Sequence, residues 1–162
     1  MSEIVVGLDA SPASRSALAW AAHQARLTKV SLRAVHALIV SPILTDSMGL
    51  MSTPVSAVPD DRIEKAYREA VVAVWQTVHP EPSWRLEFYH ADIGRLLVEQ
   101  SAAARMLVIG TREHVGWGRI LSGSVSHYCL SHSACPVVAV PAATDSASDD
   151  EPDQPTDAGR VV

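Results

Sequence analysis

Two hydrophobic rhythms alternate along this chain, and the alternation limits its fold more than any single motif does. Ile4-Val5-Val6-Gly7-Leu8 is a short apolar run rich in β-branched residues, the pattern of a buried strand, and Asp9 closes it. Ser11-Pro12 follows as a helix start, with Ser11 as N-cap and Pro12 at the first helical position. Ala17, Leu18, Ala21, Ala22 and Ala25 then recur at three and four, so a helix with one apolar stripe runs to about Thr28. Val30 to Ala37 returns to a strand, with Leu32, Ala34 and His36 on one face. Asp60-Asp61 opens a second helix that Pro80 and Pro82 stop, near Val78. Trp84 to Tyr89 alternates and suits an edge strand. A third helix starts near Asp92, Met106 to Ile109 is a fourth strand, and Ser124 to about Ser133 is a fourth helix. Pro136 to Pro141 is a fifth strand bracketed by prolines.

Strands that alternate with helices predict an α/β fold with a mainly parallel sheet covered on both faces. Ligands of such sheets sit beyond the strand C-termini, where the strand order reverses. Two predicted strand ends carry suggestive residues, Asp9 and Gly110, and they share one crevice if their strands are neighbours. An aspartate there accepts a hydrogen bond from a ribose hydroxyl or a base amine. It serves equally as a turn-former before Ser11-Pro12.

Gly110 opens a stretch with three more glycines, Gly116, Gly118 and Gly123, and Gly123-Ser124 precedes the fourth helix. Unpaired N–H groups and the dipole at a helix start favour an anion, so a loop of this kind can cradle a phosphate. The plainer reading is a tight turn with a serine N-cap. The spacing is neither a Walker loop nor a full dinucleotide fingerprint.

Composition narrows the classes. At 162 residues the chain is long enough for one domain with its own core. No apolar run spans a membrane, and Met1-Ser2-Glu3-Ile4 enters a strand pattern at once, without a signal-peptide pattern. A cytoplasmic protein is expected. The net charge of −5 is uneven: residues 142–162 hold six acids and one base, which leaves 12 basic and 12 acidic residues before them. The body is neutral and shows no basic stripe, which argues against nucleic-acid binding. The end of the chain has the composition of an acidic disordered tail. Leu38 to Pro59, with four prolines or glycines at Pro42, Gly49, Pro54 and Pro59, reads as a long loop that packs over something or simply inserts.

The opening Ile4 to Ser14, the Gly123-Ser124-Val125-Ser126 segment and the closing Cys135 to Pro141 resemble the universal stress protein family across residues 3 to 141. The resemblance implies a domain over residues 1–141 with a five-stranded doubly wound sheet of order 3-2-1-4-5. It implies a homodimer through the last strand, Val137 to Val140, and in one branch the binding of ATP or a related adenine nucleotide, with or without magnesium. That branch has a signature of glycine, two residues, glycine, nine residues, glycine and then serine or threonine. Gly110, Gly123 and Ser124 match it, and Glu113 stands at the second glycine. By resemblance Asp9 meets the adenine or ribose, Ala37 lines the adenine pocket and Gly110 admits the nucleotide. Gly123, Ser124, Val125 and Ser126 hold the phosphates. A carboxylate at 113 repels a polyphosphate by about 1 to 4 kcal/mol at about 4 Å, so weaker affinity or a shift toward AMP-like ligands is expected.

Other chemistries fit less well. His127, Cys129, His132 and Cys135 lack the paired spacings of a structural zinc site, and His127 and His132, five apart on a helix, share no face. Ser124 or Ser126 with His127 lacks a nucleophile elbow and a third orienting group, so no enzyme is expected beyond slow incidental ATP hydrolysis. Two functions remain. One is a nucleotide-responsive regulator that presents a surface to a protein partner. The other is a nucleotide-free dimeric interaction protein.

Overall fold

In the computed structural model, residues 3–38, 61–111 and 124–143 are described. Strand β1 (Glu3–Gly7) leads to α1 (Pro12–Thr28), and β2 (Ser31–Leu38) precedes α2 (Asp61–Gln76). Then come β3 (Arg85–His90), α3 (Ile93–Gln100), β4 (Met106–Thr111), α4 (Ser124–His132) and β5 (Val137–Pro141). The five strands form one parallel sheet of order β3-β2-β1-β4-β5. The doubly wound prediction is met, and β3 lies on an edge as its alternation implies.

Two cores flank the sheet. On one face α1 and α2 bury Leu18, Ala21, Ala22, Val71, Val74 and Trp75 against Ile4, Val6, Leu32, Ala34 and Val108. The alanine stripe of α1 lets that helix lie close over the sheet. On the other face α3 and α4 bury Leu96, Leu97 and Cys129 against Val5, Val35, Leu107 and Ile109. Alternate residues of each strand feed opposite cores, which is why these strands read as continuous apolar runs.

Ser11 caps α1 as predicted: its Oγ accepts the Ser14 N–H at 3.2 Å, with Pro12 just inside the helix. Other boundaries move for tertiary reasons. β4 continues past Ile109 because Gly110 and Thr111 pair with Val140 and Pro141, so Gly110 is a strand residue rather than the first residue of a loop. α2 stops at Gln76 instead of Val78, and successive N–H bonds from Thr77, Val78 and His79 close the turn. Arg26 of α1 takes the Val78 and His79 carbonyls at 2.6 and 3.0 Å and lies 4.7 Å over the Trp84 ring. The expected loop from Leu38 to Pro59 lies outside the described residues beyond Leu38, as do the Arg112–Gly123 stretch and the tail from residue 144.

Among the described residues no helix is long and apolar enough to cross a membrane.

Candidate functional site at the reversal of strand order

β1 and β4 are hydrogen-bonded neighbours, in register Ile4↔Met106 to Val6↔Val108. The chain leaves β1 for one face of the sheet and β4 for the other, so a crevice opens between their C-terminal ends. The condition set by the sequence is therefore met: the Asp9 and Gly110 ends stand side by side.

The two strands finish alike. The Ser14 hydroxyl, from the first turn of α1, donates to the Gly7 carbonyl at 3.4 Å and accepts the Asp9 N–H at 2.8 Å. The Ser126 hydroxyl, from the first turn of α4, donates to the Gly110 carbonyl at 3.4 Å. Both serines are buried. Each fastens the helix that follows to the strand that precedes it.

Asp9 is exposed, and its Oδ1 accepts the Ser11 N–H at 2.8 Å. The turn-forming reading of Asp9 is thus real. It uses one carboxylate oxygen, and a second remains for other use.

Ala37 sits beyond the point where β1 has left the sheet. Leu8 N–H donates to the Val35 carbonyl at 2.9 Å, so the polar backbone groups of Val35 face β1. Strand alternation turns those of Ala37 the same way, past the last ladder pair Gly7↔Val35. A donor and an acceptor, one residue's N–H and C=O, face the crevice.

Gly110 has a reason to be glycine that the sequence did not show. A Cβ there would meet Ala13 backbone carbon and oxygen at 2.5 and 2.6 Å and Ser14 nitrogen at 2.8 Å. The bare backbone of Gly110 admits the first turn of α1. α4 starts at Ser124, so the N–H groups of Ser124, Val125 and Ser126 belong to its first turn, where the helix itself offers them no acceptor. The Ser126 hydroxyl is engaged, and only its N–H remains for an anion. Gly123 and Glu113 lie outside the described residues.

His36 and Ser14 belong to this site and were missed as site residues. The His36 ring donates from Nδ1 to the Leu8 carbonyl at 2.7 Å. A histidine on the same strand face as Leu32 and Ala34, and a serine three places after an N-cap, are the signals that mark them.

Cys129 is fully buried, while the His132 ring stacks on Tyr128 with centroids 4.1 Å apart. Among the described residues no three or more His, Cys, Asp or Glu side chains gather as a metal site. An open cleft of about 570 Å³ lies at the other end of the sheet, lined in part by Arg26, Lys29, Ser31, Glu81 and Ser83. Its Arg26 guanidinium is already engaged by the carbonyls of Val78 and His79.

A family model described as the universal stress protein family matches residues 1–141. The chain belongs to the universal stress protein family. A universal stress protein of Mycobacterium tuberculosis is 33% identical over 146 residues, covering 85% of this chain and 46% of that protein. The chain thus spans about half the length of the curated relatives it matches. Among solved structures, universal stress protein UspA from Lactobacillus plantarum superposes with a TM-score of 0.65 at 19% identity. That match covers 86% of this chain and 97% of the other. A universal stress protein in complex with cAMP gives 0.59 at 21% identity, covering 88% and 98%. The Archaeoglobus fulgidus protein in complex with dAMP gives 0.57 at 20% identity, covering 86% and 98%. These structures share the fold of this universal stress protein.

Proposed function

We infer that this universal stress protein is a regulatory protein that binds an adenine nucleotide at the β1–β4 crevice. One observation carries the reading: the sheet gathers the Asp9 turn, the outward-facing backbone of Ala37 and the first turn of α4 at one reversal of strand order. An adenine edge carries a donor and an acceptor side by side, which match an N–H and C=O of Ala37. The second carboxylate oxygen of Asp9 suits a ribose hydroxyl, and the α4 first turn, with Gly123 before it, suits phosphates. Structural neighbours in complex with cAMP and dAMP support the ligand class. On this reading the role is binding and signalling to a protein partner rather than turnover. Both cysteines are free, in keeping with a reducing cytoplasm.

Calorimetric titration of nucleotide-stripped protein with ATP, AMP and cyclic AMP, with and without magnesium, tests this. Micromolar binding is expected, and Glu113→Gly is expected to raise affinity for ATP more than for AMP. No heat at millimolar ligand from folded protein overturns the reading. It would leave the nucleotide-free interaction protein, which Glu113 at the second signature glycine favours.

The homodimer is proposed through β5, an edge strand. Leu107 N–H donates to the Pro136 carbonyl at 2.9 Å, so Pro136, Val138 and Val140 turn their polar backbone groups inward to β4. Val137 and Ala139 turn theirs outward. Ala139→Pro therefore removes an outward N–H and spares the β4 ladder. Light scattering is expected to show monomers for this variant, and an unchanged dimer places the interface elsewhere.

A further inference from the structure

His36 stands in β2 directly before Ala37 and is 5% exposed. A carbonyl only accepts, so the 2.7 Å contact to Leu8 fixes the hydrogen on Nδ1. Leu8 in turn directly precedes Asp9. One hydrogen bond thus joins the residue before Asp9 to the residue before Ala37.

That bond replaces another. A parallel ladder continued by one step would give the Leu8 carbonyl to the Ala37 N–H. β1 instead ends at Gly7, and the imidazole holds the Leu8 carbonyl. The Ala37 N–H is left facing the crevice.

The rest of the ring brings no polar gain. Phe88 meets it edge-on, with centroids 5.6 Å apart at 72°, and the Arg68 guanidinium lies 4.7 Å over Phe88. Nε2 is buried without a hydrogen-bond partner among the described residues. A leucine or phenylalanine would pack here and orphan no nitrogen. What the histidine alone supplies is the Nδ1 donor.

We propose that His36 is a positioning residue of the crevice, whose Nδ1–H holds the Leu8 carbonyl out of the ladder so that Asp9 and the Ala37 N–H face an adenosine moiety together. The ligand half of this rests on the adenine-nucleotide reading. The backbone half does not.

Two experiments separate them. The first titrates wild type, His36→Leu and His36→Asn with AMP and adenosine. Asparagine sets an amide N–H near the Nδ1 position and carries no Nε2. The leucine variant is expected to lose about tenfold in affinity for both ligands, and the asparagine variant to recover most of it. Equal binding by wild type and His36→Leu overturns the proposal.

The second follows amide hydrogen exchange without ligand. In His36→Leu the Leu8 carbonyl becomes free for Ala37, so the Ala37 amide is expected to exchange more slowly than in wild type, and in His36→Asn at the wild-type rate. A histidine that merely held the core together would give faster exchange on removal, and faster or unchanged exchange overturns the proposal. If folded wild type binds neither ligand, the nucleotide reading falls, and the exchange result still decides what His36 does to the backbone. His36→Phe takes the place of the leucine variant should that one fail to fold.

Discussion

A Cβ on Gly110 would stand 2.5 Å from the carbonyl carbon of Ala13. Strand β4 and the first turn of α1 touch there backbone to backbone, and neither side has a side chain to move. Gly110→Ala is expected to destabilise the protein by about 3 kcal/mol, the upper range for overpacking, because rigid main chain must shift. Urea denaturation measures this without any ligand. A loss below about 0.5 kcal/mol would show that the contact relaxes freely.

Arg33 ties three strands and a helix. Its guanidinium contacts Glu3 at 2.9 Å, Glu87 at 3.3 Å, and the side-chain and backbone oxygens of Gln100 at 2.6 and 2.7 Å. Burial alone would lower its pKa, yet the Glu3 and Glu87 carboxylates hold it above the ordinary value. Arg33→Met takes the shared guanidinium from two half-buried carboxylates, leaving Glu3 with Arg85 at 3.6 Å and Glu87 with the Tyr89 hydroxyl at 2.8 Å. The expected loss is about 2–4 kcal/mol, between the values for exposed and fully buried pairs, read from chemical denaturation. Adding Glu3→Gln and Glu87→Gln to Arg33→Met is expected to return part of that loss.

Cys129 and Cys135 are expected to differ in reactivity. Burial foremost, then Asp92 and Cys135, push the Cys129 thiol up from 9.0 to about 11. Iodoacetamide at pH 8 is expected to label the half-exposed Cys135 in folded protein and Cys129 only after unfolding, checked by peptide mass mapping. The sign of the pH effect follows. The folded thiol holds its proton to higher pH than the unfolded one, so its contribution to stability is complete below about pH 9 and lost as pH rises through about 11. Cys129→Ala is expected to flatten the fall in stability over that window.

Lys29 ends α1 in the left-handed region, at φ 54° and ψ 40°, with its N–H on the Ala25 and Arg26 carbonyls. Glycine adopts that conformation without the Cβ strain. Lys29→Gly is expected to stabilise the protein by about 0.5–1 kcal/mol, seen as a rise in Tm of about 1–4 °C. A lower Tm would show that the lysine stem contributes more than its strain costs.

The sequence by itself determined the order and kind of the elements. Ile4 to Leu8, the alanine stripe of α1 and Ser11-Pro12 are local signals: the period of apolar residues follows from backbone geometry, and caps act over three or four positions. The Asp9 and Gly110 strand ends were legible for the same reason. Tertiary structure alone decided what those residues touch. Gly110 meets Ala13 across 97 positions of chain, Leu8 meets His36 across 28, and Arg33 meets Gln100 across 67. No periodicity encodes such pairs, because each arises only when the parallel crossovers have stacked α1 on β4 and β1 beside β2. The sequence could mark Gly110 as a place without a side chain. Only the folded sheet showed that the missing Cβ would lie against the backbone of α1.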